Sequence, residues 1–82
     1  MMKVNVAYFA IYQELMEREN ESLELEEGTT VGELFDQRTR HLKDQESLLK
    51  STLFAVNSDY SPIDQVLNEG DEVVFIPPVS GG

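Results

Sequence analysis

The residues best suited to chemistry are the last six of the chain, Pro77-Pro78-Val79-Ser80-Gly81-Gly82. Gly81 and Gly82 carry no Cβ, so a carboxylate on Gly82 can enter a narrow active site of another protein without obstruction. Pro77 and Pro78 each fix their own φ, and Pro78 also restricts the residue before it, which favours an extended exit from the fold. The pattern predicts a tail that is presented to partner active sites, with the Gly82 carboxylate as its reacting group.

Side chains that could do chemistry are few elsewhere. The chain of 82 residues has no cysteine, which excludes disulfides, thiolate metal sites and a cysteine nucleophile. The sole histidine, His41, has no second ligand candidate nearby and is expected at the surface, near a helix C-terminus. Neither a calcium-loop spacing of acids nor a phosphate-binding loop occurs. We therefore expect no bound metal or cofactor, and a stand-alone enzyme is the poorest interpretation.

Charge and hydropathy limit the partners. Sixteen acidic and six basic residues give a formal net charge of −10, which makes nucleic acid an unsuitable partner. An acidic surface of this kind is either simply solvated or steers the protein toward basic partners. No apolar run approaches the ~20 residues of a membrane span, and the N-terminus has no signal-peptide pattern. The expectation is a cytoplasmic protein with no membrane partner.

Periodicity predicts five strands of unequal strength. Apolar residues alternate or run together in residues 3–9, 23–26, 53–56 and 72–76, and a short edge strand begins at Tyr60 and is ended by Pro62. The first and last strands are the most apolar, so we expect them side by side in the middle of the sheet. Residues 17–22 are predicted to be an exposed loop, and Val66 and Leu67 to enter the core.

Helical spacing occurs in two places. A short helix is expected where Ile11, Tyr12, Leu15 and Met16 recur. The main helix is predicted to begin at Thr30, because a threonine followed three residues later by Glu33 forms a capping box. One face of this helix carries Val31, Leu34, Phe35, Arg38 and Leu42. Residues 43–51 are ambiguous between a helix end and a loop.

These elements predict one α+β domain over residues 1–76, followed by an extended flexible tail over residues 77–82. Its architecture is a mixed sheet of four to five strands with one main helix packed on one face. Because the tail follows directly from a central strand, its base is held while its tip is free to reach a partner.

Several short motifs resemble a known family. They are Tyr8-Phe9-Ala10, Glu14-Leu15, Thr30-Val31 with Leu34, Ala55-Val56-Asn57 and, most specific, the run from Gly70-Asp71-Glu72-Val73 to Gly82. Over its whole length the chain resembles the small subunits of molybdopterin synthase, sulfur carriers with the ubiquitin-like β-grasp fold. One departure is Gln13, where relatives often carry an arginine.

The resemblance implies that the chain supplies a terminus rather than a catalytic side chain. An E1-like adenylyltransferase and sulfurylase would use ATP and magnesium to adenylate Gly82 and convert it to a thiocarboxylate. The tail would then enter the large subunit of molybdopterin synthase and give its sulfur to a cyclic pyranopterin precursor. The family assembles two small and two large subunits into a heterotetramer, and the catalytic side chains are expected on the large subunit.

Strand parity predicts a face of the sheet that the helix leaves uncovered. If Val73 and Phe75 point inward, this face holds Ala7, Phe9, Val74 and Ile76, with Tyr60 at its edge. An exposed aromatic and aliphatic patch beside the tail is typical of a binding surface. We therefore predict that the partner docks on Phe9, Tyr60, Val74 and Ile76, although Val74 could equally close the core.

Two other functions share the glycine end and the activation chemistry. One is the sulfur carrier of thiamine thiazole synthesis, whose chains tend to be shorter and lack the Pro-Pro-Val-Ser-Gly-Gly ending. The other is a ubiquitin-like modifier that is conjugated to lysines through its C-terminal glycine.

Overall fold

The computed structural model describes residues 1–77, which fold into five strands and three helices. In chain order these are β1 (Met2–Tyr8), α1 (Ile11–Met16), β2 (Asn20–Leu25), α2 (Val31–Thr39), α3 (Gln45–Ser51), β3 (Leu53–Val56), β4 (Asp59–Ser61) and β5 (Glu72–Ile76). The predicted fold class is confirmed: the molecule is an α+β domain with a ubiquitin-like β-grasp arrangement.

The five strands form one mixed sheet in the order β2-β1-β5-β3-β4. β5 pairs in parallel with β1 and antiparallel with β3, so the last strand lies at the centre, as its apolar sequence predicts. β2 and β4 are the edges, and each pairs antiparallel with its neighbour. The core row Val6, Val73 and Val56 runs across the three inner strands in register.

Alternation in the strands directs apolar side chains to one face. In β1, Val4 and Val6 are fully buried while Lys3 and Asn5 are exposed. The centre of the core is Phe75, whose ring packs against four other aromatic rings at centroid distances of 5.3 to 5.6 Å, those of Tyr8, Tyr12, Phe35 and Phe54. Three of these four contacts are edge-to-face, and since such contacts add to the burial energy, β5 is firmly held.

The main helix begins where the capping box predicts. The Thr30 hydroxyl accepts from the Glu33 N–H at 3.2 Å, and the Thr30 N–H donates to the Glu33 carboxylate at 2.9 Å. The next two amides, of Val31 and Gly32, donate to the carbonyl oxygens of Gln65 and Ile63. A Cβ at Gly32 would lie 3.1 Å from the Ile63 carbonyl oxygen, so a residue without a side chain suits this contact.

The structure corrects one loop prediction and settles an ambiguity. Asn20, Glu21 and Ser22 belong to β2 and pair with β1, so residues 17–22 are not wholly a loop. The reason is Glu21, which points inward and is compensated by cationic partners described below. Residues 45–51 form α3, whose Leu48 and Leu49 pack against the core on the same side as α1 and α2.

The segment before β5 follows the prediction only in part. Leu67 is buried as expected, but Val66 is 50% exposed and the prediction for it is wrong. The cause is a bridge between Thr30 and Val66 with a hydrogen bond from the Leu67 N–H to the Thr29 carbonyl, which directs only Leu67 inward.

Candidate docking face and tail exit

The point where the chain leaves the sheet is anchored. Phe75 is fully buried in the aromatic core, and Pro77, one residue beyond β5, is buried as well. The rest of the predicted tail lies outside the described residues, namely Pro78, Val79, Ser80, Gly81 and Gly82. The reactive role of Gly82 and the boundary between domain and tail therefore stay predictions.

The face of the sheet opposite the helices carries an apolar row that crosses four strands. Ala7 pairs with Val74, Val74 pairs with Ala55, and Ala55 pairs with Tyr60. One step closer to the exit, Leu53 of β3 pairs with Ile76 of β5. We refer to these six residues together with Phe9 as the open patch.

The open patch occupies only the half of the face near the exit. In the other half, Asn5 pairs with Glu72 on one side and with Ser22 on the other. The Ser22 hydroxyl donates to the Asn5 side-chain oxygen at 2.6 Å. The apolar surface is therefore not spread over the sheet, but concentrated beside the strand that leads to the tail.

The four predicted docking residues all reach the surface to some degree. Phe9 directly follows β1 and is 51% exposed, whereas Tyr8 before it is fully buried. Tyr60 is 76% exposed in the edge strand β4. Val74 and Ile76 are half-buried and lie in the central strand β5. The parity assumed for β1 and β5 is thus the observed one, while partner contact itself stays a prediction.

Sequence reasoning missed Leu53, which is 57% exposed and lies in β3 in register with Ile76 of β5. The sequence carries no signal for it, because all four residues of β3 are apolar; its direction follows from the burial of Phe54 beside it in the structure. Neighbouring residues of a strand point to opposite faces, so a buried Phe54 implies an outward Leu53.

The other conspicuous polar groups support the fold. Glu21 accepts from the Tyr8 hydroxyl and pairs with Arg38 at 2.7 Å and Arg18 at 3.0 Å. Burial, reinforced by the hydrogen bond to Glu21, raises the pKa of Tyr8 from 10.0 to about 12. Burial also raises the pKa of Tyr12, whose hydroxyl lies 2.6 Å from that of Thr52.

A second network explains the Gly70-Asp71 motif before β5. The buried Asp71 carboxylate accepts from the Asn57 side-chain amide at 2.8 Å and from the Asn68 N–H at 2.7 Å. Asn57 in turn accepts from the Glu72 N–H at 3.0 Å. Gly70 takes a φ of 84°, which favours glycine. These contacts fix the start of β5.

Within residues 1–77, no cluster of three or more His, Cys, Asp or Glu side chains is arranged to hold a metal ion. No helix in the same range has the length and apolar character needed to cross a bilayer. His41 is exposed just beyond α2, as its sequence position predicts, and Gln13 donates to the Tyr8 carbonyl oxygen at 3.0 Å.

Comparison of the sequence with known proteins shows the family of this chain. The model of the ThiS family matches residues 6–82, which include both the open patch and the glycine end. The chain belongs to the ThiS family. It is 41% identical to the molybdopterin synthase sulfur carrier subunit of Mycobacterium tuberculosis, and the match covers the full length of both chains.

Solved structures with the ThiS-family fold agree with this assignment. The putative molybdopterin converting factor subunit 1 of Pyrococcus furiosus superposes with a TM-score of 0.78 at 30% identity, covering 96% of this chain and 100% of that one. A chain in the complex of subunits 1 and 2 of the molybdopterin-converting factor of Helicobacter pylori superposes with a TM-score of 0.64 at 23% identity, covering 99% and 100%. The second likeness shows the fold alone.

Proposed function

We propose that this chain is the sulfur carrier subunit of a molybdopterin synthase and works in the cytoplasm. The observation that carries the proposal is the full-length identity of 41% to a protein of that name, in a chain whose central strand runs beside an apolar patch toward a Gly-Gly end. The chain acts as a tethered co-substrate, and the side chains that catalyse the reactions belong to its partners.

The proposed chemistry takes place on the Gly82 carboxylate. A carboxylate is a poor electrophile, so an E1-like enzyme transfers AMP to it from magnesium-bound ATP and releases pyrophosphate. A sulfur donor then displaces AMP and leaves a thiocarboxylate, in which one carboxylate oxygen has been replaced by sulfur. The thiocarboxylate gives its sulfur to the cyclic pyranopterin precursor, and two such transfers build the dithiolene.

The proposed partner on the open patch is the large subunit, in a heterotetramer of two small and two large subunits. Phe9, Leu53 and Tyr60 expose apolar surface close to the exit of β5, where a partner can bind the domain and receive the tail at once. Exposed apolar patches of this kind usually mark interaction sites. In Helicobacter pylori, subunits 1 and 2 of the molybdopterin-converting factor form a protein–protein complex, which supports the same pairing for this chain.

The decisive experiment is the intact mass of the chain after incubation with an activating enzyme, ATP, magnesium and a sulfur source. We expect a mass increase equal to the exchange of one oxygen for one sulfur, located by fragmentation at Gly82. A chain that lacks Gly82 serves as the control and should keep its mass. An unmodified full-length chain in a system that modifies a known carrier would contradict the proposal.

Two further measurements separate the proposal from its alternatives. Addition of the large subunit and the pyranopterin precursor should return the thiocarboxylate to a carboxylate as molybdopterin forms. A thiazole-synthesis carrier would lose its sulfur only to a thiazole synthase, and a modifier would instead appear as covalent adducts on the lysines of many proteins.

A further inference from the structure

The chain reverses its direction between β1 and α1 in very few residues. Tyr8 and Tyr12 are both fully buried, and the three residues between them, Phe9, Ala10 and Ile11, are all exposed. The Tyr12 N–H donates to the Phe9 carbonyl oxygen at 3.0 Å, which closes a four-residue turn with Ala10 in its second position. This turn lies at the end of β1 that borders the open patch.

Ala10 has a backbone conformation that alanine avoids. Its φ of 50° and ψ of −123° are those of the second residue of a type II′ turn, a position that glycine normally occupies. Its methyl side chain has no group that could form a local hydrogen bond to favour this conformation. Such residues persist only where the surrounding structure determines the backbone.

The surroundings of Ala10 do determine it. On one side Tyr8 is held by the core and by Glu21, and Gln13 donates to the Tyr8 carbonyl oxygen. On the other side Tyr12 is held by Phe75 and by the hydroxyl of Thr52. With both ends fixed, the turn must span a set distance, and glycine would span it without strain.

We propose that Ala10 is a positioning residue for docking, because its restricted turn holds Phe9 of the open patch and the neighbouring Ile11 outward. Glycine samples both signs of φ, so a glycine at this position would let the two flanking side chains move relative to the sheet. Ordering mobile side chains at an interface weakens binding, and a backbone ordered in advance avoids that loss. The strain at Ala10 is therefore offset by having Phe9 and Ile11 already oriented before the partner binds.

This inference rests on the proposed function, because the docking partner is the large subunit. Its first test uses the full chain without any partner. Ala10→Gly should raise the urea midpoint of unfolding because it relieves strain, and the Tyr12 amide should exchange with solvent faster because the turn is less restricted. Neither measurement involves a partner, so both keep their meaning if the large subunit fails to bind the unaltered chain.

The second test is calorimetric titration of the large subunit. Ala10→Gly should weaken binding about three- to tenfold, as expected when one or two side chains must be ordered on binding. The matched control is Ser58→Gly at the opposite end of the sheet, where Asn57 and Ser58 have φ values of 51° and 75° in the two-residue turn between β3 and β4. Ser58→Gly should raise the urea midpoint and leave the affinity unchanged.

A chain with D-alanine at position 10, made by peptide ligation, separates restriction from strain. D-alanine favours the observed conformation and restricts the turn, so we expect a raised urea midpoint with the affinity of the unaltered chain. Equal affinity for the glycine variant and the unaltered chain would overturn the proposal. It would also be overturned if D-alanine and glycine weakened binding alike, because the Ala10 methyl group itself would then be the contact.

Discussion

Substitution of Phe9 should affect partner binding much more than the stability of the free domain. Buried aromatic anchors contribute about 2 kcal/mol or more at interfaces, so Phe9→Ala should weaken large-subunit binding roughly 30-fold at 1.4 kcal/mol per factor of ten. Because half of the side chain is exposed, the free domain should lose much less than the ~3–5 kcal/mol of a core phenylalanine truncation. Calorimetric titration beside urea unfolding measures both quantities.

The matched control for Phe9 is Val66→Ala. Val66 is exposed to the same extent, but it bridges to Thr30 beside α2, away from the open patch. We expect its affinity for the large subunit to be unchanged. A large stability loss in Phe9→Ala with unaltered affinity would show that Phe9 belongs to the core.

Tyr8 makes the free energy of unfolding depend on pH in the alkaline range. Its pKa is raised from 10.0 to about 12 in the fold, first by burial and then by the hydrogen bond to Glu21. The folded state therefore holds the phenol proton more tightly than the unfolded state does. The resulting stability is fully present below pH 10.0 and is lost as the pH rises toward 12.

Urea unfolding below pH 10.0 and near pH 12 measures this effect. Tyr8→Phe should reduce the loss of stability between the two conditions, and a smaller loss should remain because burial also raises the pKa of Tyr12. Tyr60→Phe makes the same substitution at a side chain that is 76% exposed, and it is the control for the substitution itself. An unreduced loss in Tyr8→Phe would contradict the assignment.

How much of the open patch the sequence predicts depends on the strand. In β1 and β5, the polar residues Lys3, Asn5 and Glu72 mark the outer face, so the sequence predicts to which face each side chain points. β3 is Leu53-Phe54-Ala55-Val56, in which every residue is apolar, so no alternation distinguishes the faces. Leu53 could be placed only once the register with β5 was known.

At the scale of the element, α2 offers the cleanest test of local structure. Thr30→Ala removes the hydroxyl that accepts from the Glu33 N–H and should lower stability by about 1 kcal/mol. Glu33→Gln is the matched variant, because a glutamine oxygen can still accept from the Thr30 N–H, and its loss should be smaller.

Thermal unfolding of both variants measures the difference, and large-subunit affinity should be nearly unchanged because α2 lies on the face opposite the open patch. An unaltered melting temperature in Thr30→Ala would contradict the role of the cap.

The parts of the fold that the sequence misplaced or left ambiguous, the start of β2 and the helix α3, are those whose causes are distant in the chain. β2 extends back to Asn20 because Glu21 finds Tyr8, Arg18 and Arg38, and two of these partners are more than ten residues away. α3 has no side-chain cap at Asp44, and its Leu48 and Leu49 are held by the core rather than by local signals. The capping box of α2 was predictable because both of its partners lie within four residues.

At the scale of the whole molecule, the fold and the tail should be separable. Deletion of Gly82 should abolish sulfur transfer and leave the free energy of unfolding unchanged, because stability comes from the apolar core of residues 1–77 and a glycine has no side chain to bury. Urea unfolding and conversion of the pyranopterin precursor measure the two outcomes.

One added residue after Gly82 is the companion variant, since it keeps every residue of the chain and displaces only the reacting carboxylate. We expect the same loss of transfer. Precursor conversion at the normal rate by either variant would refute a carrier mechanism at this terminus.

The parallel pairing of β1 with β5 has a mechanical consequence. Met2 begins one strand and Ile76 ends the other, so these two ends lie at opposite ends of the paired strands. A force that pulls residue 77 away from residue 1 slides β5 along β1 and loads their hydrogen bonds together instead of opening them one at a time. The domain should therefore resist a force applied along β5, and a partner that binds the tail can pull on it without separating the strands of the sheet.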